Sequence, residues 1–261
     1  MSRIRLLCAA LLACACLPAC ACLPASAGAA NVAVLHTSFT PDRLGASTTI
    51  GFGFDISNTE GGLPSPLIGV SLHLPPGMNY IKNTLGLAIC QPAALLAQGL
   101  SGCSPNSRLG YGSAYVEVPI GGDNAEEIPD IEAVRGPSHN GNIVVLFYAA
   151  GHEPIYARLI FQGELVRGGG LLGGSLTTAI PLIPSISNGP AVSILSVKTT
   201  FGPEHLVYYE RVHGRTVSFH PEGVSVPERC PRGGFPFSAD LTFVDGSSTI
   251  ARSTVPCPRR R

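Results

Sequence analysis

The sequence predicts an all-β fold: antiparallel, immunoglobulin-like β-sandwiches, arranged as two packed domains with one short disulfide-stapled helical connection. Three observations predict it. Apolar runs of strand length recur throughout the chain, several alternating apolar with polar residues. Glycine (31) and proline (23) are abundant among the 261 residues and fall between those runs, where turns need them. No stretch keeps a long helical period, which removes parallel βαβ architectures.

The first 27 residues stand apart. Arg3 and Arg5 begin a basic start, an apolar stretch follows to Leu23, Pro24 breaks it, and Ala25-Ser26-Ala27 supplies a small-x-small cleavage pattern. Residues 1–27 are therefore expected to be a secretory signal peptide, with the mature chain starting near Gly28. Lipoprotein attachment is the rival reading: "LPAC" ends at Cys20 and "LLAC" at Cys14, but Pro18 sits awkwardly in the first and the second leaves a short apolar run. No later stretch approaches the roughly 20 apolar residues of a membrane helix, so no membrane span is expected after signal removal.

The mature chain then reads in order. "VAVLHTSFT" and "STTIGFGFDIS" are the first strands; in the second, Ile50, Phe52 and Phe54 share a face. The turn "NTEGG" leads to "LIGVSLHLP", closed by "PPG". Next comes "CQPAALLAQGLSGC" (90–103). Pro92 suits a first helical turn, Ala93 to Gln98 are helix formers, and Gly99 suits a stop. A helix this short is marginal alone. "SAYVEVPI", "IEAVR" and "NIVVLFYAA" follow, the last two parted by "GPSHNGN". "IYARLIFQGELV" and "SLTTAIP" flank the glycine-rich "RGGGLLGG", and "AVSILSVKTTF" follows "SNGP". "HLVYYERV", "TVSFHP", "FPFSADLTFV" and "TIARSTV" complete the set, the last pair around Asp245-Gly246, a dipeptide suited to a tight hairpin. The expected domains are 28–138 and 139–261, cut in the loop after "EAVR"; one large sandwich is the alternative.

Four cysteines remain after the leader: Cys90, Cys103, Cys230 and Cys257. An even number in an exported chain suggests disulfides. Of three pairings, proximity favours Cys90–Cys103 and Cys230–Cys257. The first ring, of about 14 residues, contributes roughly 3 kcal/mol by loop entropy. In the second, the hairpin at Asp245-Gly246 returns Cys257 to the vicinity of Gly234, and "PRGG" gives Cys230 slack to reach it.

Net charge is zero, with 17 basic and 17 acidic residues, so no basic surplus exists for a nucleic-acid partner. Motifs for chemistry are weak. "GYGSA" (110–114) lacks the strand-turn-helix context of a nucleophile elbow, so Ser113 reads as structural and its glycines as aids to bending or close packing. "VRGGGLLGGS" has no Gly-Lys-Ser/Thr ending and reads as a hairpin tip or bulge. His205, His213 and His220 lie close in sequence without a His-x-His pair. The acidic run 121–132 carries Asp123, Glu126, Glu127, Asp130 and Glu132. Its oxygens could take Ca²⁺, although it lacks calcium-loop alternation and reads mainly as a solvated connection. Tyr208 and Tyr209 fall on opposite faces if they lie in a strand, so one at most meets a ligand. Phe235, Phe237 and Phe243 read as core.

"GGLPSPLIGVSLHLPPGM", "CQPAALLAQGLSGCSPNSRLGYGSA" and the C-terminal "CPRGGFPFSADLTFVDG…TVPCPR" resemble a group of secreted actinobacterial proteins. The resemblance implies an exported β-sandwich; it implies no activity and carries over no catalytic residue. The functional expectation is a non-catalytic structural or binding module of the cell envelope or extracellular space, with an envelope polymer or a protein as partner. A secreted hydrolase whose site assembles only in three dimensions, or an envelope-glycan binder, is the alternative.

Overall fold

The computed structural model describes residues 30–80, 84–120, 123–152, 156–168, 173–184 and 189–258. The expected leader, its cleavage site and the lipid-acceptor cysteines lie outside them. Every run singled out above as a strand forms one. In order these are β1 (Asn31–Thr40), β2 (Ser47–Asn58), β3 (Leu67–Leu74), a short β4 (Asn79–Tyr80) and β5 (Arg108–Ile120). Then come β6 (Asp123–Glu127), β7 (Asp130–Arg135), β8 (Ile143–Ala150), β9 (Arg158–Arg167), β10 (Gly174–Ala179) and β11 (Ser193–Phe201). The last are β12 (Tyr208–Val212), β13 (Arg215–Phe219), a short β14 (Val224–Ser225), β15 (Phe235–Phe243) and β16 (Ser248–Val255). The helix α1 (Pro92–Gln98) sits where the composition put it, with Gly99 after it at φ 62°.

All pairings are antiparallel; fourteen strands join one near-closed sheet, and β12 and β13 pair with each other as a separate two-stranded sheet. The order is β1-β2-β11-β5-β7-β8-β9-β10-β3-β15-β16. The ends of that path meet: β1 lies beside β16, and Thr37 Oγ1 donates to Ser253 Oγ at 2.9 Å. The wall is thus a nearly closed barrel. The expected cut at 138/139 falls between β7 and β8, which pair with each other along six residues. Strands from both sides of it alternate around the wall: β11 bonds β2 and β5, and β3 bonds β10 and β15.

Closure needs curvature, and local irregularities supply it. Bulges interrupt the ladders at Arg108/Gly110, Ile194/Ser196 and Thr242/Phe243. Gly110 and Gly112 lie against β11 so closely that an added Cβ would meet the Thr200 carbonyl oxygen at 1.8 Å and the Lys198 carbonyl oxygen at 2.2 Å. The glycines of "GYGSA" therefore serve close backbone approach, as the sequence suggested.

Two disulfides form, Cys90–Cys103 and Cys230–Cys257, with Cα separations of 5.0 and 5.8 Å. The second clamps the base of the β15–β16 hairpin, where Phe235 faces Val255. The tip differs from a two-residue turn. The Gly246 N–H donates to the Phe243 carbonyl, the Phe243 N–H to the Ser247 carbonyl, and Gly246 has φ 83°. This is a three-residue loop with glycine at the left-handed position. The first disulfide holds α1 against the outside of the barrel. There Leu95 packs with Val134, Val144, Leu146 and Tyr148 in a small second core. It explains why "IVVLFYAA" is apolar at every position: β8 is covered on both faces, by the interior and by the stapled helix. Next to it, the buried Tyr208 hydroxyl accepts from the Gly86 N–H at 2.9 Å and donates to the Arg108 carbonyl. Arg135 Nη1 donates to the Gly86 carbonyl at 2.7 Å.

Candidate functional site

A barrel of eight strands is about as wide as side chains can fill; eleven leave room. One side of this interior is filled. Phe39, Phe235, Phe237, Leu241 and Phe243 are nearly inaccessible, and Phe39 packs on Phe235 and Phe237 with ring centroids 5.4 and 5.9 Å apart. The other side, enclosed by β2, β3, β5 and β7 to β11, is not filled.

The space has two lobes. The first, of about 140 Å³, is lined by apolar side chains such as Phe54, Val116, Ile131, Phe147 and Phe161, and ends near Pro129, Gly151 and Pro181. The second, of about 560 Å³, opens at the opposite end, where Pro76, Gly141, Asn142, Arg167, Gly168 and Gly173 surround its mouth. Phe52, Leu72 and Leu176 line both, so the lobes meet at a waist. The lining follows from period two: Phe147 and Val145 of β8, and Phe161 and Leu165 of β9, are every second residue. The bulge at Ile194/Ser196 lets both Ile194 and Val197 of β11 face inward.

Each lobe has one ionisable residue in its lining, and the two carry opposite charges. Glu127 borders the first lobe; it is buried, and its Oε1 accepts the His152 N–H at 2.7 Å. Arg167 borders the second, two residues past Leu165 and so on the same, inward face of β9. It is exposed at the rim and forms no ion pair among the described residues.

Of the candidate site residues marked by the sequence, Glu127 lies in the lining of the interior and the others lie elsewhere. Within the acidic run Asp123–Glu127 is a strand, paired with β5 so that Ala125 and Glu127 lie opposite Val118 and Val116, while Asp123, Glu126 and Asp130 stay exposed. Its carboxylates disperse. Glu126 bonds the Tyr115 hydroxyl, raising that phenol's pKa. Asp130 Oδ2 pairs with His152 Nε2 at 3.0 Å, and burial raises the Glu132 carboxyl. No group of three or more His, Cys, Asp or Glu side chains able to hold a metal ion occurs among the described residues. His205 lies 3.8 Å from its neighbour Glu204 and is exposed. His213 forms the tip of the β12–β13 hairpin with Gly214, at φ 49° and 80°. His220 Nδ1–H donates to the Leu206 carbonyl at 2.9 Å. Ser113 lies mid-strand on β5, opposite Lys198. Tyr208 is fully buried and Tyr209 is 47% exposed, on opposite faces as expected.

Sequence reasoning missed the cavity and Arg167. An interior lining and a filled core share one apolar alternation, so the pattern carries no signal between them. Arg167 had a faint one: it continues the inward set of "LIFQGELVR" with a charge. Compared with protein-family models, with curated proteins and with solved structures, the chain matches none.

Proposed function

We propose that this chain is a non-catalytic binding module that works outside the cytoplasm and carries an apolar small molecule inside its barrel. The observation that carries the reading is the two-lobed interior, almost wholly apolar in its first lobe and mixed polar and apolar in its second. Its second lobe, about 560 Å³, falls within the roughly 300–1,000 Å³ of ligand pockets. A dry cavity near 150 Å³ suffices for a benzene-sized group, which is the scale of the first lobe. Two disulfides suit an oxidising compartment, and no helix among the described residues is long and apolar enough to cross a membrane.

The test is occupancy. N-phenyl-1-naphthylamine, a neutral dye that brightens in apolar surroundings, should bind the folded protein saturably. Leu176→Trp, which plugs the waist, should weaken that binding about tenfold or more while circular dichroism stays β-rich. Equal dye binding by the two proteins would refute an interior site.

A further inference from the structure

The two ends of the interior are electrically unlike, and this names the ligand class; the inference rests on the binding reading above. Arg167 is the ionisable residue of the larger lobe's lining, and Glu127 that of the smaller. Period two turns Arg167 inward, directly beyond Leu165, while its place at the end of β9 keeps the guanidinium in contact with water. No carboxylate among the described residues neutralises it. Five glycines, Gly77, Gly141, Gly168, Gly173 and Gly174, line the same lobe, and Gly141 has open space where a side chain would stand. The flanks of the glycine-rich "VRGGGLLGGS" thus form part of a rim.

Beyond the rim the lining is apolar through the waist at Phe52, Leu72 and Leu176, and ends at the carboxylate of Glu127. Along β9, from Leu159 to Arg167, the interior runs about 26 Å, or roughly 20 Å along the axis for an ordinary strand tilt. That is the length of a long alkyl chain. An anion at the Glu127 end would be repelled in apolar surroundings; at the Arg167 end it gains a charge-assisted hydrogen bond.

We propose that the barrel holds a single-chain amphiphile with an anionic head, the head at Arg167 and the tail running through the waist into the smaller lobe. Binding is non-covalent and changes no bond. A fatty carboxylate is the simplest member of the class.

The experiment compares three C16 probes for displacement of the dye from the intact protein: hexadecanoate, hexadecanol and hexadecyltrimethylammonium, each below its aggregation threshold. Hexadecanoate should bind tightest. Arg167→Gln should weaken hexadecanoate about fivefold and leave hexadecanol unchanged, as befits a charge contact open to solvent. Arg167→Lys should retain most of the preference and Arg167→Glu should abolish it. Equal affinity for the three probes, or an equal effect of Arg167→Gln on all of them, would overturn the head-group assignment while leaving the interior site standing. Failure of every probe and of the dye to bind would overturn both.

Discussion

Replacing Leu95 with alanine tests the stapled helix most directly. Leu95 is 0% exposed and is the centre of the outer core, against Val144, Leu146 and Tyr148. A buried Leu→Ala change costs the transfer of the lost carbons plus the cavity they leave, 2–5 kcal/mol in all. Here the cavity cannot collapse easily. One wall is a strand hydrogen-bonded on both sides, and the helix is tied at Cys90 and Cys103. The expected loss is therefore about 3–4 kcal/mol, in the upper part of that range. Leu96 is the internal control: it is 75% exposed, so Leu96→Ala should change stability by no more than about 0.5 kcal/mol. Urea unfolding followed by far-UV circular dichroism measures both, and an unchanged m-value confirms that the midpoint shift is a stability change. A loss below about 1 kcal/mol for Leu95→Ala, or equal losses for the two leucines, would refute the docking of this helix on β8.

Two further outcomes follow from other contacts. Removing the second disulfide with Cys230→Ala and Cys257→Ala should cost roughly 3.5 kcal/mol, since it closes a longer ring, with 27 residues of separation, than the first; calorimetry would show a lowered Tm, and an unchanged Tm would contradict the loop-entropy account. Burial pushes the Tyr208 phenol up from 10.0 to about 12, against the lowering effects of the Gly86 N–H and Arg135. Below the unfolded value both states are neutral and nothing is lost. Between pH 10 and pH 12 the unfolded chain ionises first, so stability should fall with rising pH by up to roughly 2 kcal/mol, and Tyr208→Phe should remove that component of the alkaline loss; identical pH profiles for the two proteins would exclude it.

Much of the fold was legible because strands declare themselves by period two. Ile50 and Phe54 are buried together, and Tyr208 and Tyr209 divide as expected. The cysteine pairs were legible because ring size and one hairpin constrain which thiols can meet. Curvature was not. Whether strands stack as two layers or roll into one wall depends on bulges such as Ile194/Ser196 and on glycines pressed against a neighbouring backbone, and neither has a pattern of its own. The acidic run was legible as solvent-facing at Asp123, Glu126 and Asp130, but its strand was not: the edge of β5 offered hydrogen-bond partners, and Glu127 was drawn into a buried place by them. The interior site was illegible because a cavity is defined by atoms that are missing.

Where β1 lies beside β16, side-chain hydroxyls and amides do the joining: Thr37 to Ser253, and Asn31 to Ser247 at 3.0 Å. No ladder of main-chain bonds runs between those two strands. The molecule is, topologically, a rolled ribbon instead of a hoop. A slit along that line would sever no backbone pairing, so widening the tube for a bulkier guest costs least there, and the amides bordering the slit on either strand should exchange with deuterium ahead of those deeper in the cloth.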